Sequence, residues 1–176
     1  MHRRGPVRQK GGPGEAAATG RNPTDRGKPG TKRHLLTEAK GIPVGVVRSG
    51  ANRHDMKKLG ELLDAVVVEP APAGPPHLAL DRGDADDACR DAAVARGYEP
   101  HIPPKASAAR PLPPPGDPDR HPPRRWVVEV AHAWFNRFRR LLTRTEKQAA
   151  HDLGFVQLAA CLIVYRKVRH ARSLSG

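Results

Sequence analysis

Residues 124–147, RRWVVEVAHAWFNRFRRLLTRTEK, carry the pattern that most restricts what this chain can fold into. Val127, Val130, Ala131, Trp134, Phe138 and Leu141 recur at spacings of three and four, which predicts one long helix with an apolar stripe turned toward a core. Arg125, Glu129, His132, Asn136 and Arg140 follow the same period on the other face. A single carboxylate, Glu129, therefore stands among cations and hydrogen-bond donors. Two readings fit that row. In one, Glu129 makes an ordinary i, i+4 pair with Arg125 on a solvated face, worth roughly 0.3–0.5 kcal/mol. In the other, the local density of arginine meets a phosphate backbone.

The charge balance bears on that choice. Lys and Arg number 31 against 18 Asp and Glu, for a formal charge of +13 and a pI near 10.7. Such an excess predicts an anionic polymer as partner, nucleic acid ahead of a membrane surface. A GC-rich genome also enriches Arg, Ala, Gly and Pro and accounts for part of the basicity. With 19 Pro and 17 Gly in 176 residues, one domain with a core is expected, and part of the chain is expected to be loop. Cys89 and Cys161 offer no zinc spacing and no disulfide framework, and both are expected as buried thiols in a reducing cytoplasm. Residues 1–18 lack the apolar run of a secretory signal, and the most apolar stretch, 153–164, is too short to span a bilayer.

Along the chain, residues 1–30 read as an irregular basic arm with scattered Arg and Lys among Gly and Pro. Residues 31–39 and 42–50 read as two strands joined by Lys40 and Gly41, the second well buried through Val44, Val46 and Val47. Residues 55–68 form an amphipathic helix with Met56, Leu59, Leu62, Leu63 and Val66 inward and Asp55 as a helix-start residue. A Pro/Ala linker (70–76) precedes a short strand, 77–80, which runs into Asp81, Arg82, Gly83 and Asp84. A carboxylate where a strand ends and a glycine loop begins is where open α/β sheets place chemistry, although an acid there also caps a following helix. Residues 86–96 make that helix, closed by Gly97, followed by a strand at 98–102. Residues 103–123 are Pro-rich and read as a flexible loop. A last apolar helix, 153–168, leaves a basic tail at 169–176.

The segments 124–129 (RRWVVE) and 133–140 (AWFNRFRR) resemble the C-terminal signature of bacterial insertion-sequence transposases of the DDE superfamily, in the insertion-sequence-five group. Residues 19–28 (TGRNPTDRGK), 51–55 (ANRHD) and 81–83 (DRG) resemble further blocks of that family. The resemblance covers roughly residues 19–168. It implies an α/β, RNase H-like catalytic domain over 31–168, with a mixed sheet, flanking helices and a first strand that is missing or degenerate. By the same resemblance, Asp81 is the second catalytic, metal-holding carboxylate and Glu129 the third, serving Mg²⁺ or Mn²⁺. Arg26, Lys28, Arg125, Asn136, Arg137, Arg139 and Arg140 are the expected DNA contacts. The implied partner is double-stranded DNA, both element ends and target, bound by a homo-oligomer at the nucleoid in the cytoplasm.

The sequence departs from the family pattern in places. Pro122 stands where a Tyr is usual, Asn136 where a Lys is common, and Asp84 where relatives carry Tyr. The family's first Asp lies four residues before a Val-Arg pair, and counting back from Val7 and Arg8 reaches Arg3, a cation that repels metal. Asp25, the nearest other acid, sits in a turn-like context. The helical DNA-binding region that relatives carry ahead of this core is not seen. A truncated or frameshifted transposase is therefore one expectation, and a catalytically inactive basic DNA-binding remnant is the alternative. An RNA-associated protein fits less well, because no stacked aromatic platform is visible.

Overall fold

The computed structural model describes residues 19–22, 26–68, 74–81, 87–102 and 125–174. The fold is built on a hairpin of two long strands, β2 (Pro29–Thr37) and β3 (Pro43–Gly50), preceded by the two-residue β1 (Gly20–Arg21). All three pair antiparallel in the order β1-β2-β3, with Gly20 opposite Gly30 and His34 opposite Val47. The hairpin end is closed by Glu38, whose Oε1 accepts the backbone N–H groups of Lys40 (2.8 Å) and Ile42 (3.0 Å). Gly41 turns the chain there at φ +84°, a region open to glycine at no steric cost.

Side chains on β2 alternate between two layers. Leu35 faces α3 (Arg125–Asn136) and α5 (Ala149–Leu174), where Ala131, Phe135, Val156, Ala159, Ile163 and Leu141 close a core. Leu36 faces the other way. It meets Leu59 and Leu63 of α1 (Leu59–Asp64), Leu78 of β4 (His77–Ala79), and Cys89 and Ala93 of α2 (Asp87–Val94). Strand β5 (Glu99–His101) pairs parallel to β4 through His77–Glu99, Leu78–Pro100 and Ala79–His101. Helix α2 ends as its sequence predicts. Gly97 at φ +76° sends its N–H to Val94 O (2.9 Å) while Tyr98 N reaches Ala93 O (3.0 Å), the double bond of a Schellman cap.

Both strand directions of the expected RNase H-like α/β architecture are present, with helices on both sides, but in two pieces: an antiparallel three-stranded sheet and a parallel pair. Among the described residues no strand precedes Gly20, and beyond Gly30 the edge of β2 away from β3 pairs with no described strand. The apolar cluster around Leu36 and Leu78 is what holds the two pieces beside each other.

Several expectations are corrected. The basic arm is not irregular to its end, since Gly20, Arg21, Pro29 and Gly30 lie in strands. The helix expected over 55–68 is a 3-10 turn (Asp55–Lys58) followed by α1, which stops at Asp64. The β-branched run Val66, Val67 and Val68 resists helix, and Val67 N instead bonds Val44 O (3.2 Å) alongside β3. The helix expected over 124–147 ends at Asn136. The last turn tightens through Phe138 N to Phe135 O (3.0 Å), Phe138 turns extended, and the short α4 (Arg139–Leu142) follows. Phe135, outside the expected apolar stripe, is fully buried at 0% exposure, while Val130, Trp134 and Phe138 are half-buried. Helix α5 starts earlier than expected and continues to Leu174, so Arg169 and Arg172 are helical rather than part of a tail. Cys89 is buried as expected, but Cys161 is exposed. The Pro-rich stretch 103–123 and Arg3, Val7, Arg8, Asp25 and Asp84 lie outside the described residues.

Phe135→Ala is expected to cost about 3–5 kcal/mol, because it empties a fully buried ring site between β2 and α5. Trp134→Ala, at a half-buried position, is expected to cost less. Urea denaturation of both variants checks the ranking, and the reverse order would contradict the observed phase of α3.

Candidate active site and nucleic-acid interface

Asp81 follows β4 directly. Leu80, just before it, sends its N–H to His101 O (3.0 Å) and packs against the α1–β4–α2 core, so the strand end that presents Asp81 is anchored on two sides. Asp81 itself is exposed. Glu129 lies in the second turn of α3, also exposed, with Val127 and Ala131 buried on the opposite side of the helix. The approach of α3 to the hairpin is close. A Cβ added at Gly41 would lie 3.3 Å from Val127 O, which explains glycine there a second time.

The expected DNA contacts divide into two groups. Asn136 Oδ1 accepts a hydrogen bond from Arg33 Nη2 (2.7 Å), and the Arg33 guanidinium also lies 5.5 Å from the Phe135 ring centre. Arg140 pairs with Glu146 and stacks 4.9 Å over Phe155. Both side chains are thus already engaged within the fold. Arg137 and Arg139 are exposed, as are Arg26 and Lys28 in the turn between β1 and β2. Arg125 opens α3, with its side chain outside the described set.

Two groupings escaped the sequence reading. The first is His34, a buried side chain on β2 whose Nε2 lies 2.8 Å from Ser49 Oγ and whose Nδ1 lies 3.4 Å from Asp55 Oδ1. Burial pushes its pKa below the ordinary value, and the Asp55 carboxylate opposes that. His132, expected on the polar face, is half-buried and is pushed down by burial and then by Arg33 and His34. Asp55, read from sequence as a helix-start residue, opens the 3-10 turn and pairs with Lys32 at 3.4 Å.

The second is His77, Glu99 and His101 on the paired strands β4 and β5. His77 Nδ1 lies 2.6 Å from His101 Nε2, and the Glu99 carboxylate oxygens lie 3.5 Å and 3.9 Å from those nitrogens. Glu99 and His101 are two apart on one strand, hence on one face, and strand pairing brings His77 beside them. The Glu-x-His spacing was the visible signal, but without the register of β4 it named only two of the three residues.

A mixed α/β core with one acid at a strand end, another on a helix that runs into an arginine-rich connection and a formal charge of +13 is the make-up expected of a DNA-processing protein. The chain belongs to the transposase DDE domain family, which matches it over residues 6–164. It is 37% identical over 158 residues to a protein named as a transposase for insertion sequence element IS402 of Burkholderia cepacia, an alignment covering 87% of this chain and 71% of that protein. No solved structure matches the chain with significance. No helix among the described residues is long and apolar enough to cross a membrane.

The buried histidine gives the fold a pH dependence with a definite sign. A His34 pKa below its ordinary value means that the unfolded chain binds the proton more readily. The stability His34 contributes is present above that ordinary value, about 6.5, and is lost as pH falls below it. His34→Gln keeps a hydrogen-bonding partner for Ser49 and removes the titration. The fall in urea midpoint between about pH 7 and about pH 5 is expected to be shallower in that variant. An unchanged slope would assign the acid sensitivity elsewhere.

Proposed function

We propose that this chain acts on the DNA of an insertion sequence by metal-assisted phosphodiester cleavage and strand transfer, with Asp81 and Glu129 as two of its three metal-holding carboxylates. The observation that carries this reading is the position of Asp81, exposed and directly after a core-anchored strand, within a chain matched to the transposase domain. Glu129 supports it from the exposed side of α3. Both are hard oxygen donors reachable from solvent, a donor set that suits Mg²⁺ or Mn²⁺. When bound, such ions activate a water or a DNA 3′-hydroxyl and stabilise charge on the leaving oxygen.

The protein's own contribution is to hold those two acids and to seat the duplex. Arg137, Arg139, Arg26 and Lys28 are exposed cations suited to phosphates, and Arg125, Asn136 and Arg140 are the further contacts of this reading. Contacts of this kind position DNA without reading its sequence. The partner is double-stranded DNA, element ends and target, engaged by a homo-oligomer at the nucleoid. Arg137→Ala, Arg139→Ala and Arg140→Ala combined are expected to weaken duplex binding and to flatten the slope of log affinity against log salt by up to about three units. Arg137 and Arg139 are expected to account for most of that change. Unchanged binding would move the interface to another basic surface.

A second reading, a DNA-binding protein without catalysis, is favoured by Arg3, which stands where the family resemblance puts the first Asp. Two carboxylates hold a divalent ion loosely, and in-line attack between two ions needs the third. The unmodified chain is therefore expected to bind DNA carrying the element's ends without cutting it. Arg3→Asp is the variant expected to gain metal-dependent cleavage, lost again on Glu129→Gln. Cleavage by the unmodified chain that Glu129→Gln abolishes would discard the second reading and give the third carboxylate to another residue.

A further inference from the structure

We propose that His77, Glu99 and His101 form a transition-metal site of the zinc class that clamps β4 to β5, separate from the carboxylates Asp81 and Glu129. Three potential ligand atoms, two imidazole nitrogens and one carboxylate oxygen, lie within 4.8 Å of one another. They come from backbone positions fixed by strand pairing, with His77 opposite Glu99 and His101 opposite Ala79. Two imidazoles and one carboxylate are a common zinc ligand set, and three protein ligands leave the fourth position to water.

The geometry needs only a small adjustment. Zinc–nitrogen bonds of about 2.0–2.1 Å at a tetrahedral centre put two ligand nitrogens about 3.3 Å apart. The present His77–His101 separation is 2.6 Å, so the rings must open by roughly 0.7 Å. His77 is exposed and free to rotate outward, and the carboxylate oxygens of Glu99 already stand 3.5 Å and 3.9 Å from the two nitrogens. The rings are stacked, with centres 4.8 Å apart, so both can tilt toward one point without leaving the strand face.

The chemistry separates this site from the hard-ion site. Imidazole selects zinc, cobalt, nickel and copper over magnesium, whereas carboxylates alone suit magnesium and manganese. The fold also gives such a clamp something to do. A two-stranded pair of three residues each is marginal by itself, and Pro100 in the middle of β5 offers no N–H. A bridging ion ties the strand leading into Asp81 to its neighbour beside the Leu80–His101 bond, one residue from that acid.

The test uses untagged protein stripped with chelator and titrated with Co²⁺ alone, followed by Zn²⁺. The expected result is a visible absorption band typical of tetrahedral Co²⁺ at one equivalent, displaced by Zn²⁺ but not by excess Mg²⁺, with a rise in melting temperature. His77→Ala, at an exposed position, and Glu99→Gln are expected to weaken binding at least tenfold while far-UV circular dichroism stays unchanged. His101→Ala is expected to abolish it. Asp81→Asn with Glu129→Gln is expected to leave Co²⁺ binding as it was. Absence of the band, or a band that survives His77→Ala and Glu99→Gln in folded protein, overturns the proposal. Loss of binding on Asp81→Asn with Glu129→Gln would also overturn it, by moving the ion to the carboxylates.

Discussion

Asp152 holds the sheet to the long C-terminal helix. Its carboxylate lies 2.6 Å from Arg48 Nη1 on β3 and 3.7 Å from Arg144 Nε on the segment leading into α5, with all three side chains nearly shut off from water. Burial pushes the Asp152 pKa up and the two arginines draw it back, while burial lowers Arg48 and its neighbour Arg33. Such a pair adds little stability over an apolar contact of the same shape, but stranding one member costs about 3–5 kcal/mol. It therefore works as a register pin. Asp152, Val156, Ala159 and Ile163 share one stripe of α5, so seating Asp152 against Arg48 delivers the three apolar residues to the core around Phe135. A helix slipped by one turn would leave Arg48 buried without its partner.

From that pin helix α3 inherits its position. Helix α3 lies between β2 and α5, fastened by Phe135 in the core, by the Arg33–Asn136 bond and by the close approach of Gly41 to Val127. Glu129 is exposed because Val127 and Ala131, two positions to either side of it, turn the opposite face of the helix into the core. Asp81 depends on the opposite layer, where Leu36, Leu78 and Leu80 join the parallel strand pair to the hairpin. The two acids thus stand on two cores joined through the hairpin: the alternating side chains of β2 serve one core each, and β3 meets both α1 and α5.

The net charge of +13 is not all surface for a polyanion. Arg48 and Arg144 are internal, Arg33 is half-buried against Asn136 and Phe135, Arg96 is held by both oxygens of Asp64 at 2.6 and 2.8 Å, and Arg140 is shared by Glu146 and Phe155. Arginine suits both tasks because its planar fork binds a carboxylate in two places and stacks on a ring. Lys167 plays a similar part over Trp134 at 4.0 Å. The cations left facing solvent on the α3–α4 connection, Arg137 and Arg139, are a smaller set than the sequence row suggested.

Much of the local structure was legible in the chain. The apolar runs on either side of Lys40 and Gly41 marked the β2–β3 hairpin, Gly97 marked the end of α2, and the blocks around Asp81 and Glu129 marked the family that the comparison established. These are signals carried by neighbours within one turn or one strand, where chain geometry alone decides which side chains share a face. The burial of Phe135, the break after Asn136 and the division of the sheet were decided only by tertiary structure. Periodicity says which residues share a face and leaves open which face meets the core. That choice depends on partners far along the chain, as when Asp152 seats α5 against β3. The meeting of His77 with Glu99 and His101 is of the same kind, since it exists only once two strands have paired in one register.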